Sequence, residues 1–132
     1  MQLNVTTDYG IRVVIYLAQK NSIANSNEIC AKMGIPWSYM HKIARTLKSA
    51  GIINEVRGTM GGFELKKDPE KISVLNIINV FEKTTNVNRC MEKDEHCSRD
   101  AVSSCPVRNI YVQLQEEMDN ILDVKISTFL KN

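Results

Sequence analysis

The chain has 132 residues, 17 Lys and Arg against 15 Asp and Glu, a formal charge of +2, 43 % hydrophobic residues and four cysteines. That length makes one domain, or one with a short appendage, able to bury a core. The opening MQLNVTTDYG has neither the basic nor the apolar region of a leader, and no apolar run approaches membrane-spanning length, so a cytoplasmic protein with no membrane partner is expected.

In chain order, Thr7-Asp8-Tyr9 opens a predicted helix to about Lys20, with Ile11, Val14, Ile15 and Ala18 on one stripe. Asp8 in its first turn faces the positive end of the helix dipole, a sufficient structural reason for that carboxylate. From Ser26 to Phe63 the pattern is a short helix, a turn at Gly34-Ile35-Pro36, a second helix, a strand, a Gly-rich hairpin and a returning strand. Ile29 and Met33 stripe the short helix, and Met40, Ile43, Ala44 and Leu47 stripe the second. Asn25 or Ser26 is placed to cap the first, Pro36 precedes the second, and Gly51 stops it.

The opposite face of that second helix carries Ser38, Tyr39, His41, Lys42, Arg45 and Lys48, a donor-rich surface suited to a major groove. Trp37 is expected to serve as an apolar anchor at the helix start. The strands Ile52–Val56 and Phe63–Lys66 flank Arg57-Gly58-Thr59-Met60-Gly61-Gly62, whose glycines permit a close approach and whose Arg57 suits a minor groove. Taken alone, this would be an ordinary hairpin with a solvated arginine. Placed directly after a basic helix-turn-helix, it reads as a wing. The charge agrees: residues 1–67 hold nine Lys/Arg and four Asp/Glu, a balance of +5, while residues 68–132 hold eight and eleven, a balance of −3.

Ser73 caps a predicted helix with Val74, Ile77, Ile78 and Phe81 inward, which closes the core. Asn86 to Ser104 then loses all periodicity. Pro106 restarts a helix to about Asp123 with Ile110, Leu114, Met118, Ile121 and Leu122 on one face, more apolar surface than a lone appended helix leaves in water, so a dimer seam is expected. The tail from Val124 to Leu130 adds a last apolar contact.

Cys30 lies beside Ile29 on a short amphipathic helix and reads as structural. Cys90, Cys97 and Cys105 are different, because three thiols gather in one polar loop that ends at a helix start. Disulfides are disfavoured in a cytoplasmic setting. Zinc usually shows a Cys-x-x-Cys knuckle and four ligands, which are not visible here, so an iron–sulfur cluster fits better, with zinc and redox-active thiols left open. Enzymatic chemistry is not expected: neither histidine has a nucleophile or carboxylate at a recognisable spacing, there is no phosphate-binding glycine loop outside the wing, and no small-molecule substrate is evident.

With these residues in view, the chain resembles the Rrf-two family of bacterial winged-helix regulators, including its IscR-like, NsrR-like and CymR-like branches. The matching features are Thr7-Asp8-Tyr9-Gly10-Ile11-Arg12, Glu28-Ile29, Ile35-Pro36, Ser38-Tyr39, the Arg57-Gly58-x-x-Gly61-Gly62-Phe63 wing and the three-cysteine loop before a long helix.

The resemblance implies a mainly α fold with a small β-hairpin wing: a winged helix-turn-helix over residues 1–84, then a cysteine loop and dimerisation helix over 85–132. It further implies a homodimer on a double-stranded DNA operator, acting as a repressor that senses redox, nitric oxide or iron–sulfur status. Ser38, Tyr39, His41, Lys42, Arg45, Arg57 and Thr59 would contact DNA, and Cys90, Cys97 and Cys105 would hold a 4Fe-4S or 2Fe-2S cluster. IscR-like members carry a histidine three residues after the third cysteine. Here that position is Arg108, which cannot ligate, whereas Asp8 matches the NsrR-like ligand supplied by the partner subunit; His96 is a further candidate. CymR-like members suggest the alternative of a cluster-free regulator using a thiol switch or a partner protein, and a zinc-binding interaction module is a second alternative.

Overall fold

In the computed structural model, which describes residues 2–130, the first helix begins earlier than apolar spacing predicts. Asn4 accepts a hydrogen bond from the Thr6 backbone N–H, and α1 runs Val5–Lys20. That side-chain oxygen satisfies one of the donors every helix start leaves unpaired. The buried stripe is also rotated: Gly10, Val13, Val14, Leu17 and Ala18 face inward, while Ile11 and Ile15 are only partly covered. The cause is close packing against Phe81, since a Cβ on Gly10 would fall 2.4 Å from its ring.

Helix α2 (Ser26–Met33) is capped by Asn25, which accepts from the Glu28 N–H, and ends at Gly34 with φ 65°. Its Glu28 ties it to α1, accepting from Tyr16 at 2.5 Å and from Lys20 at 2.6 Å. After Pro36, α3 (Trp37–Ser49) buries Met40, Ile43, Ala44 and Leu47, as its spacing predicts. Gly51, at φ 73°, turns the chain into β1 (Ile53–Val56), which pairs antiparallel with β2 (Gly62–Leu65), Ile53 opposite Leu65 and Val56 opposite Gly62. Phe63 and Ala24 also exchange backbone hydrogen bonds at 2.8 and 2.9 Å, which fixes the hairpin to the turn after α1. Gly62 is required at that seam: a Cβ there would lie 2.4 Å from the Ala24 carbonyl oxygen.

Helix α4 (Val74–Phe81) starts at a capping box made by Ser73 and Asn76 and buries Val74, Ile77 and Ile78. It packs on α1 and α3. Leu17, Ile29, Ile43, Leu47 and Ile77 are all essentially inaccessible, and each such side chain contributes about 1.5–3 kcal/mol by leaving water.

The stretch beyond α4 holds one 3-10 turn, Arg89–Met91, before α5 (Pro106–Leu122), which is about 25 Å long. The tail does more than the added contact expected of it. Ile126 donates its N–H to Ile72 O at 2.9 Å, Val74 donates to Val124 O at 3.0 Å, and the Ile126 side chain is fully buried in the core built by the first helices. Helix α5 buries only Gln115, which accepts from the Val87 N–H; Ile110 and Ile121 are 62 % and 75 % exposed. Among the described residues no helix is long and apolar enough to cross a membrane.

Candidate nucleic-acid interface and cysteine cleft

Because Met40, Ile43, Ala44 and Leu47 hold one side of α3 in the core, the other side is presented to solvent. Ser38, His41, Lys42, Arg45 and Lys48 are all exposed there. Arg45 Nη2 and His41 Nε2 stand 2.8 Å apart across one turn. Tyr39 departs from its neighbours. It is half-buried and meets Tyr9 edge-on, ring centroids 5.3 Å apart and planes at 72°, while Arg12 lies 5.2 Å over the Tyr9 ring. Trp37 is not the anchor expected of it: Ile35 takes the buried position at the turn and leaves the indole 62 % exposed.

Arg57, Thr59 and Met60 are exposed on the wing. Gly61 lets the tip fold tightly, since a Cβ there would fall 2.1 Å from the Val56 carbonyl oxygen. Lys48 Nζ lies 2.5 Å from Glu55 Oε1, joining the end of α3 to β1. That lysine, with Arg57 and His41 adding their charge, holds the Glu55 carboxyl below the usual range. The Glu55 carboxylate among these cations is therefore already matched by a lysine.

Cys90, Cys97 and Cys105 line a single open cleft of about 360 Å³, with His96, Arg108 and Tyr111 on the same wall. Turns bring them there: Glu95 donates to Glu92 O, Asp100 to Cys97 O and Ser104 to Ala101 O, each near 3 Å, while Arg89 pairs with Asp94. Backbone N–H groups, Ala101 foremost and then Arg99, pull the Cys97 thiol below its ordinary value. Asn88 Nδ2 lies 3.6 Å from Cys90 Sγ. Cys105 stands at the N-cap position of α5 without a side-chain capping bond, and Pro106 follows.

All four cysteines are free thiols. Cys30 sits apart on α2, where burial pushes its thiol up, consistent with the structural reading. Among the described residues no three His, Cys, Asp or Glu side chains stand close enough to share one metal ion. A zinc site needs its donors within about 2.3 Å of a single ion, whereas a multi-iron cluster gives different thiolates different iron atoms. Three thiols lining one cleft, backbone N–H groups directed at the Cys97 sulfur and two arginines in the same lining suit such an anionic cluster.

Asp8 is not in that cleft. Its carboxylate accepts from Arg12 at 2.7 Å, and the same guanidinium donates to Met33 O at 3.0 Å, linking α1 to the end of α2. Sequence reasoning missed two members of these sites. The Tyr9–Tyr39 contact leaves no mark in apolar periodicity. Arg108 as a wall of the cleft was legible, since it stands one helical turn after Cys105 and so faces the same way.

The open polar face of a second helix, followed by a β-hairpin with an exposed arginine at its base, defines a winged-helix DNA-binding regulator. The chain matches the Rrf2 family, described as an iron-dependent transcriptional regulator, over residues 3–131. It belongs to that family, whose members are transcriptional regulators and not enzymes. Among curated relatives it is similar to the HTH-type transcriptional regulator NsrR of Bacillus licheniformis, at 31 % identity over 94 % of this chain and 85 % of that one. It is also similar to an HTH-type transcriptional regulator of Aquifex aeolicus, at 28 % identity over 87 % and 81 %. The fold is that of CymR, the global cysteine regulator of B. subtilis (TM-score 0.80, 20 % identity, 98 % and 96 % covered), and of T. potens IscR (TM-score 0.77, 20 % identity, 98 % and 86 % covered).

Proposed function

We propose that this regulator is a cytoplasmic homodimer that represses transcription from a palindromic operator and reads redox, nitric-oxide or iron–sulfur status through a cluster held by Cys90, Cys97 and Cys105. The observation that carries the reading is the convergence of those three thiols on one cleft, out of a loop with almost no regular structure. When bound, the cluster would supply a centre reactive toward oxidants and nitric oxide. Asp8 of the partner subunit is the fourth ligand in this reading, a hard oxygen donor that leaves one corner weakly held.

The residues of the chain do the rest. Ser38, His41, Lys42 and Arg45 read the major groove, Tyr39 positions α3 through Tyr9, and Arg57 with Thr59 reaches the minor groove. The open apolar face of α5 pairs with its copy and sets the two reading heads about one helical turn of DNA apart. Asp8 lies in a short chain of contacts to the DNA face: it holds Arg12, Arg12 covers Tyr9, and Tyr9 packs on Tyr39 of α3. Drawing Asp8 away to a ligand role would release Arg12 and loosen that chain, which couples ligation to the set of the recognition helix.

The test is anaerobic purification with visible spectra, iron and sulfide analysis, sedimentation, and operator selection from random duplex before and after nitric oxide. A brown dimer whose colour and operator affinity change together supports the proposal. A colourless protein that takes up no iron on reconstitution overturns it. The lowered Cys97 thiol would then favour a second reading, in which the same cleft works by thiol chemistry on an intact DNA-binding fold.

A further inference from the structure

An arginine lining the cysteine cleft carries a buried nitrogen without a partner. Two guanidinium groups line that cleft, Arg89 and Arg108. Arg89 is paired with Asp94. Arg108 Nε is buried without a hydrogen-bond partner, and it is the buried side-chain N or O atom found unpartnered among the described residues. The Arg108 side chain is half-buried, and a buried N–H left unpaired on it costs free energy that a partner in the cleft would recover. Arginine cannot shed its proton to relieve that cost. Its neighbours on the wall, Asn88, Ser98, Val102 and Tyr111, bring no carboxylate.

We propose that Arg108 is the positioning residue that neutralises an anionic occupant of this cleft, donating Nε–H toward the sulfur atoms gathered by Cys90, Cys97 and Cys105. This rests on the cluster reading above and deepens it. Three thiolates and bridging sulfides carry net negative charge, and N–H donors to sulfur favour the more reduced, more anionic state. Arg108 therefore holds the group without ligating it and raises its reduction potential. The position also accounts for the fit: Arg108 stands one turn into α5 from Cys105, so the helix that sets the third thiol sets the cation beside it.

The experiment compares the full chain with R108K and R108M, first cluster-free and then reconstituted with ferrous iron and sulfide. Cluster-free R108M should melt no lower than wild type, because the substitution removes an unpaired buried donor while keeping the stem's bulk. A clear fall in its melting temperature would show that the guanidinium is a structural prop and overturn the inference. Reconstituted R108M should lose iron roughly tenfold faster than wild type and show a more negative midpoint potential, with R108K intermediate. Equal retention and an unchanged potential in R108M would overturn it as well. Should wild type itself take up no cluster, the proposed function fails and the inference falls with it; uptake by wild type with equal retention in R108M would overturn the inference alone.

Discussion

The reading head and the cysteine limb are built by opposite rules. In the head, α1 to α4 and the wing share one core in which Val13, Ile29, Ile43, Leu47, Ile77 and Ile78 are sealed, and Gly10, Gly61 and Gly62 sit where backbone meets backbone or ring. The limb, from Glu82 to Leu122, buries one side chain, a glutamine, and keeps its apolar residues half or fully open. The head is stabilised by this packing, which Ile126 of the tail completes. The limb has little packing of its own, so a group on its thiols or a partner on α5, as proposed above, would add order there.

The largest expected effect separates the two regions outright. Ile77→Ala should cost about 2–5 kcal/mol in denaturant unfolding through the cavity it leaves. Ile121→Asp on α5 should leave the head's unfolding within about 0.5 kcal/mol and, on the proposed α5 pairing, shift sedimentation from dimer to monomer. If Ile121→Asp unfolds the chain, α5 belongs to the core and the contrast collapses. Next, Cys97→Ser should eliminate stoichiometric iron on reconstitution yet keep binding to random duplex at low salt. Simultaneous loss of both would mean that the limb props the head.

Within the head, Arg57→Ala should weaken operator binding by about 1–3 kcal/mol, and Lys42→Ala should reduce the salt slope of binding by about one phosphate contact. Trp37, the chain's sole tryptophan, is 62 % exposed at the start of α3, so its emission should be quenched as random duplex is titrated in at low salt. Unchanged emission would place it outside the interface. The smallest effect is on pH. Lys48 lowers the Glu55 carboxyl, so this pair stabilises the fold above the unfolded carboxyl value near about 4.3 and loses that contribution as pH falls through the lower folded value. The stability difference between wild type and Glu55→Gln should be present at neutral pH and close below about pH 4.

Most of the head was legible because local chemistry and packing agree there. The stripe of α3, the Asn25 and Ser73 caps and the glycine hairpin all mean the same thing locally and globally. Where they diverge, pattern reading slipped. Ile11 and Ile15 look like core residues by spacing, yet the close approach of Phe81 over Gly10 turns α1 so that Val13 and Leu17 take that place. Trp37 was misjudged because Ile35, two residues earlier, takes the buried position. In the limb, spacing marked the three cysteines as a group and the structure brings them to one cleft, but no periodicity could announce a lone buried Nε.

The return of the tail has a consequence for how the molecule is made. Ile126 fills the core of the head and pairs through its backbone with Ile72, more than fifty positions earlier in the chain. During synthesis from the N-terminus the DNA-reading unit must wait, incomplete, until the cysteine loop and α5 have emerged. Such distant closure is slow to form. A nascent or truncated chain ending before Val124 would carry the whole DNA face on an unfinished core, so a stable reading head comes only together with the cysteine loop and α5.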